Sequence, residues 1–339
     1  MDLRRQISDL FDRLGADTMP PRYPGAAVEI APDRVTAVRL AVDRKGGKMR
    51  LAAVESRPLP VGAVEVALTR PNILQPAELL EALRSIFVKL APRDHRVSLL
   101  LPDDVARVAL LGFAALPKTR RELADLVRFR MSKSLPFKPE DAVMDLMVLG
   151  GSGPRPGANA ASVLAAFVHR AVLDQYESLF AACGYWPGLV SLSTFELFNL
   201  FRPVFARKKA PDRDSLVLNV TRHYLSVVIL RDSDVIFYRC KPHPQTANGD
   251  SVGDVRREIY TSLAFYQEKL LGRGIGRVFL RCAGVPPEMV REAAGAETGG
   301  EVEILDPLAI VPGNGAPSIT SEVAGLMAPA IGAAAGRTT

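Results

Sequence analysis

The order of elements in the sequence predicts a duplicated, two-domain α/β fold. Three observations carry that expectation. Each half opens with a three-strand meander and continues into helices, at 27–30, 34–42 and 49–57 in the first half and at 216–220, 224–230 and 235–240 in the second. The first meander runs strand, tight turn, strand through Glu29-Ile30-Ala31-Pro32-Asp33. Between the two meanders lies a compact module of strands around one helix, at 96–168.

The elements follow from local pattern. In residues 1–16, Leu3, Ile7, Leu10, Phe11 and Leu14 recur at helical spacing. The polar face of that helix mixes Arg4, Arg5 and Arg13 with Asp2, Asp9 and Asp12, so it has little net charge. Helices that bind membranes by charge are clearly basic, and docking on its own domain or on a protein partner fits this one better. Met19 to Gly25 is a proline-bearing linker. Residues 76–90 predict a helix with Leu79, Leu80, Leu83, Ile86, Phe87 and Leu90 on one side.

Strands are expected at 96–101 and 105–113, then a helix at 119–134 opened by the capping box Thr119-x-x-Glu122. Pro136 ends that helix, because a proline pushes its predecessor out of the helical region. Strands at 143–149 and 162–168 flank a Gly/Pro-rich loop, 150–157. A helix at 170–183 and a short one capped by Ser193-x-x-Glu196 lead to the basic boundary loop 207–213. After the second meander come a helix at 255–271, a strand at 277–281, a helix near 288–294, a strand at 301–304 and a terminal helix at 319–335.

Composition bounds the function. The chain has 339 residues, 48% hydrophobic and 24% charged, as a folded globular protein should. Its net charge of +6, from 43 basic and 37 acidic residues, is spread along the chain. That excess suits work near an anionic surface but is too diffuse to point to nucleic acid. Cys183, Cys240 and Cys282 are far apart, which argues against a disulfide framework and for a reducing cytoplasm. No apolar run reaches the roughly 18 residues of a membrane span.

Common catalytic signatures are missing. Gly46-Gly47-Lys48 lacks the upstream glycine and the following hydroxyl of a phosphate loop. Gly272-x-Gly274-x-Gly276 comes after a helix and before a strand, the reverse of a dinucleotide turn. The four histidines have no ligand spacing. The basic helix bearing Lys118, Arg120, Arg121, Arg128, Arg130 and Lys133 reads as a solvated face over the apolar Leu123, Leu126 and Val127, ahead of the alternative, a face for acidic lipid or a partner.

Three segments are distinctive. They are Glu122 through Leu135-Pro136-Phe137-Lys138-Pro139-Glu140-Asp141 with Asp145, then Gln175-Tyr176 through Ala182-Cys183-Gly184, and Ile259-Tyr260 through Phe265-Tyr266. On these the chain resembles the PilM family, actin-like proteins of type IV pilus assembly related to FtsA and to the cytoplasmic scaffold of type II secretion. The likeness spans about 27–335. It implies an actin-like (ribonuclease H-like) duplicated two-domain fold with an inserted strand-helix-strand-strand subdomain. On that basis we expect an N-terminal helix and linker at 1–25 and a first domain at 26–95. The inserted subdomain would occupy 96–186 and the return to the first domain 187–206. The second domain would span 207–318, and a C-terminal helix at 319–339 would pack on the first domain.

The resemblance also supplies a nucleotide site to test against these residues. The first phosphate turn of the family has Asp-x-Gly and small hydroxyls, where this chain has Glu29, Ala31, Pro32 and Asp33. A proline has no N–H to offer a phosphate. The second turn expects another Asp-x-Gly, and the nearest candidates are Asn219 and Thr221, followed by Arg222, His223 and Tyr224. The acidic residue expected near Ser191 is absent. Of the consecutive glycines expected to contact adenosine, Cys282-Ala283-Gly284 keeps only Gly284. With no catalytic residue and no metal ligands assigned, the expectation is a remnant cleft that needs no cofactor. The alternative is an ATPase that binds ATP with Mg and uses its nucleotide state to gate assembly.

What the family implies for this chain is a non-enzymatic cytoplasmic adaptor, peripheral at the inner membrane through its partners. Its expected partner is the N-terminal tail of a PilN-like single-span inner-membrane protein, with a cytoplasmic motor ring as a second. No nucleic acid is expected.

Overall fold

The computed structural model describes residues 24–42, 49–92, 94–149, 161–242, 251–312 and 319–336. The helix expected at 1–16 and the 150–157 loop lie outside the described residues. The chain divides into two compact units. One takes residues up to Val105, Arg170–Arg202 and everything from Asp306, and the other takes Ala106–His169 and Pro203–Leu305.

The first unit is built on a five-stranded sheet. Strands β1 (Ala26–Ala31), β2 (Arg34–Val42) and β3 (Met49–Pro58) form an antiparallel meander. Strands β4 (Arg96–Leu101) and β8 (Trp186–Leu192) extend it in parallel, giving the order β3-β2-β1-β4-β8. Neighbouring residues of a strand face opposite sides. Ala27 and Val28 are both fully buried, so both faces of the sheet are covered.

Helix α1 (Pro76–Leu90) packs on β2 and β3 through Leu79, Leu83, Ile86, Phe87 and Leu90, while Leu80, expected on the same face, is only partly buried because it falls about a hundred degrees round the helix from Leu79. Helix α3 (Arg170–Ala182) packs on α1 and β8. Helix α4 (Ser193–Arg207) follows β8, and α7 (Ser321–Ala335) packs on β1, β2 and β4. Gly332 lets α7 approach α4 backbone to backbone, because a Cβ there would clash with the Glu196 carbonyl.

The second unit repeats the plan. Strands β9 (Asp214–Thr221), β10 (Tyr224–Arg231) and β11 (Asp234–Pro242) form the meander, and β12 (Ile275–Ala283) and β13 (Glu301–Ile304) run parallel to β9. The order β11-β10-β9-β12-β13 matches the first sheet strand for strand. Helices α5 (Ser251–Leu270) and α6 (Pro287–Thr298) make the crossovers. Val255, Ile259 and Val290 join Leu218, Val220, Val227 and Val278 in the core. Asp214, 1% exposed, is held by Arg231 through Nη2 (2.8 Å) and Nε (3.1 Å) and by the Tyr266 hydroxyl (2.7 Å). Burial, then the bond to Asp214, pushes the Tyr266 hydroxyl well above its ordinary range.

The same unit carries the three-stranded sheet β5-β7-β6, made of β5 (Arg107–Phe113), β6 (Ala142–Leu149) and β7 (Ala161–His169), with helix α2 (Arg120–Met131). Edge strand β5 packs beside β11. The capping box of α2 forms as expected: the Glu122 amide donates to Thr119 Oγ1 (3.2 Å), and the Thr119 amide to Glu122 Oε2 (3.3 Å).

Some boundaries shift from the sequence expectation. The segment 96–186 is not one subdomain, because β4 and α3 belong to the first unit and only 106–169 forms the insertion. The run Val97 to Leu101, apolar except for Ser98 and buried throughout, is what a parallel strand covered on both faces requires. The second domain likewise ends at Leu305, not 318, and the Leu51 amide bonds the Pro312 carbonyl (3.2 Å) inside the first unit. Ser193 opens a 15-residue helix where a short one was expected, and its hydroxyl does not cap that helix.

Candidate functional site

The residues singled out from the sequence fall into two groups, one in each unit. In the first, Pro32 and Asp33 are the two loop residues of the β1–β2 hairpin, closed by the pairing of Ala31 with Arg34. Pro32 contributes no donor to this turn. The Asp33 carboxylate is gripped by its neighbour, with Arg34 Nη2 at 2.7 Å from Oδ2 and Nε at 3.2 Å from Oδ1. The Asp33 carbonyl accepts from the Leu59 amide at 2.8 Å.

Glu29 is 6% exposed, and its carboxylate is turned to hydroxyls. Ser193 Oγ donates to Glu29 Oε1 at 2.7 Å, and Thr36 Oγ1, on the cross-strand partner residue, lies 3.5 Å from Oε2. Ser193 Oγ also lies 3.2 Å from the Leu101 carbonyl. One residue on, the Thr194 amide donates to Asp103 Oδ1 at 2.9 Å. Two buried carboxylates therefore gather at the N-terminal end of α4, where the helix dipole favours negative charge. This cluster locks β1, β4 and α4 together.

In the second unit, Asn219 is fully buried on β9, and its Oδ1 accepts from Arg281 Nη1 at 2.9 Å. Arg281 is its register partner on β12 and is 2% exposed. A guanidinium thus lies against the residue that stands in the expected aspartate position. Thr221 closes the turn that follows. Its Oγ1 accepts from the His223 amide (3.1 Å) and the Tyr224 amide (2.9 Å), and it donates to the Tyr224 carbonyl (3.0 Å). The hydroxyl's one donor and two acceptor sites are all used within the turn.

Gly284 keeps the backbone that favours glycine, with φ at +72°. Arg222 lies over it: Nε donates to the Gly284 carbonyl at 2.8 Å and would meet an added Cβ at the same distance. Burial pushes the nearby Cys282 thiol up to about 12, so it is a packing residue and not a nucleophile.

Sequence reasoning missed Asp103, Ser193 and Arg281 as parts of these groups. Arg281 carried a usable signal, a charge inside the otherwise apolar run Val278-Phe279-Leu280. Ser193 was misleading, since its spacing to Glu196 suggested a capping box. Among the described residues no group of three or more His, Cys, Asp or Glu side chains is arranged to hold a metal ion. None of their helices is long and apolar enough to cross a membrane.

No family model matches the chain. No curated protein matches it either. Solved structures do. A chain of the PilM-PilN type IV pilus biogenesis complex superposes with a TM-score of 0.74 at 18% identity, covering 93% of this chain and 98% of that one. A Bacteroides thetaiotaomicron protein with an actin-like ATPase fold and unknown function gives 0.50 at 9% identity, covering 85% and 92%. The cytoplasmic domain of EpsL, an inner-membrane component of the Vibrio cholerae type II secretion system, gives 0.47 at 11% identity, covering 89% and 93%. With its matching five-stranded sheets and its inserted three-stranded sheet, the chain has the actin-like fold and is PilM-like in architecture over nearly its whole length.

Proposed function

We propose that this protein is a non-enzymatic adaptor of a type IV pilus or related assembly machine. In this reading it works in the cytoplasm at the inner membrane and binds the N-terminal tail of a PilN-like single-span membrane protein. The tail is held as an extended peptide by main-chain and apolar contacts, and the adaptor links it to a cytoplasmic motor ring. One observation carries the non-enzymatic part: Thr221 takes up the His223 and Tyr224 amides, the donors that a phosphate at this turn would need. Pro32 in the first unit removes a donor of the same kind. The partner rests on likeness to a chain whose solved structure is a complex of PilM with PilN.

A second reading, an ATP-binding protein whose nucleotide state gates assembly, is favoured by the retained positive φ of Gly284. Titration calorimetry separates the two. A synthetic peptide from the tail of the membrane protein encoded beside this chain should bind, and Mg-ATP should give no saturable heat. A peptide Kd weaker than about 1 mM, roughly −4 kcal/mol, would sink the adaptor reading. Saturable Mg-ATP binding would favour the second.

A further inference from the structure

We infer that the outer face of α1 is a self-association surface, which pairs with α1 of a second copy of this chain in an antiparallel, two-fold arrangement. The inner face of the helix is spent on its own core through Leu79, Leu83, Ile86, Phe87 and Leu90. On the opposite side Ala77, Glu81, Arg84 and Val88 are all exposed, Val88 at 80%. Their spacings of four, three and four residues follow the roughly 3.6 residues of a helical turn, so they form one straight seam along α1.

The charges on this seam select the occupant. Glu78 and Glu81 stand in the N-terminal half of the helix, and Arg84 and Lys89 in the C-terminal half. Lys89 Nζ already lies 3.7 Å from Glu55 Oε2. Glu81 and Arg84, one turn apart, are joined by no hydrogen bond or ion pair to each other or to any other side chain among the described residues. A complementary seam must carry the reverse order, basic then acidic. This same helix read backwards is such a seam.

Direction and register follow. With the two-fold axis midway between Glu81 and Arg84, Glu81 of each copy meets Arg84 of the other, and the small Ala77 makes room for Val88. Sliding one helix by a turn sets Arg84 on Arg84 in one direction and Glu81 on Glu81 in the other. A parallel pair brings both like-charge contacts at once. Only the antiparallel, centred register therefore places unlike charges together. One helix face covers less than the about 800 Å² per partner of a standard interface, so the pair forms reversibly at micromolar or higher concentration.

Sedimentation velocity of the full chain over a concentration series tests this. The native chain should dimerise, and Glu81→Arg or Arg84→Glu should each weaken the dimer by about tenfold or more, because each sets like charges face to face. An equimolar mixture of the two variants should recover near-native association, since every charged contact across that mixed pair is again basic on acidic. Both side chains are exposed, so neither change touches the core, and recovery in the mixture also shows that both variants are folded. The inference is overturned if the native chain stays monomeric up to about 200 μM. It is equally overturned if the single variants associate as well as the native chain, or if mixing them restores nothing.

Discussion

The two turns at matching positions of the duplicated fold differ in how they dispose of their backbone donors. In the β1–β2 turn a donor is deleted, since Pro32 has no N–H, and the carboxylate of Asp33 is tied to Arg34. In the β9–β10 turn the donors are kept but drawn inward onto Thr221. The polar groups beneath them differ too. The first unit buries Glu29 and Asp103 on hydroxyls and the amides of a helix start, whereas the second buries Arg281 on Asn219 and Arg231 on Asp214. A shared scaffold thus tolerates opposite charges at equivalent depths, provided each is locally satisfied.

The largest effect should come from breaking the second unit's ion pair. Arg231→Met leaves Asp214 buried with only Tyr266 and should cost about 3–5 kcal/mol in urea unfolding. Glu29→Gln should cost less, about 1.5–3 kcal/mol, because a neutral amide still accepts from Ser193 while the charge-assisted part of the bond goes. If the two costs were equal, the contrast between ion pairing and helix-end stabilisation would fail. Thr221→Val should cost about 1–3 kcal/mol by stranding the turn amides. Pro32→Gly should cost only about 0.4–1 kcal/mol, mostly through the entropy of the unfolded chain. A larger loss than Thr221→Val gives would mean that Pro32 packs more than it pre-sets the turn.

Much of this fold was legible in the sequence because it is local. The α1 stripe, the Thr119 capping box and both meanders depend on residues a few positions apart, and all are present. What was misread depends on distant partners. Nothing in Arg96-Val-Ser-Leu-Leu-Leu101 says that it pairs with Ala27 and Trp186, so assigning it to the insertion was a topological error made from a correct strand. Ser193 has the composition of a cap, yet it faces Glu29, 164 residues earlier. The departure of the candidate turns from the Asp-x-Gly pattern was readable as residue identity. The inward use of Thr221 was not, because it is a matter of hydroxyl direction.

The approach of α7 to α4 at Gly332 bears on how the protein is made. The first unit is assembled from three separated stretches, and its last helix leaves the ribosome after the whole second unit has been synthesised. Until then, β1, β2 and β4 lack the cover that Ala328, Ala330 and Ile331 supply. The nascent first sheet must therefore wait with one apolar side open while the second unit closes, the stage at which such a chain is most exposed to aggregation and most dependent on a holding chaperone.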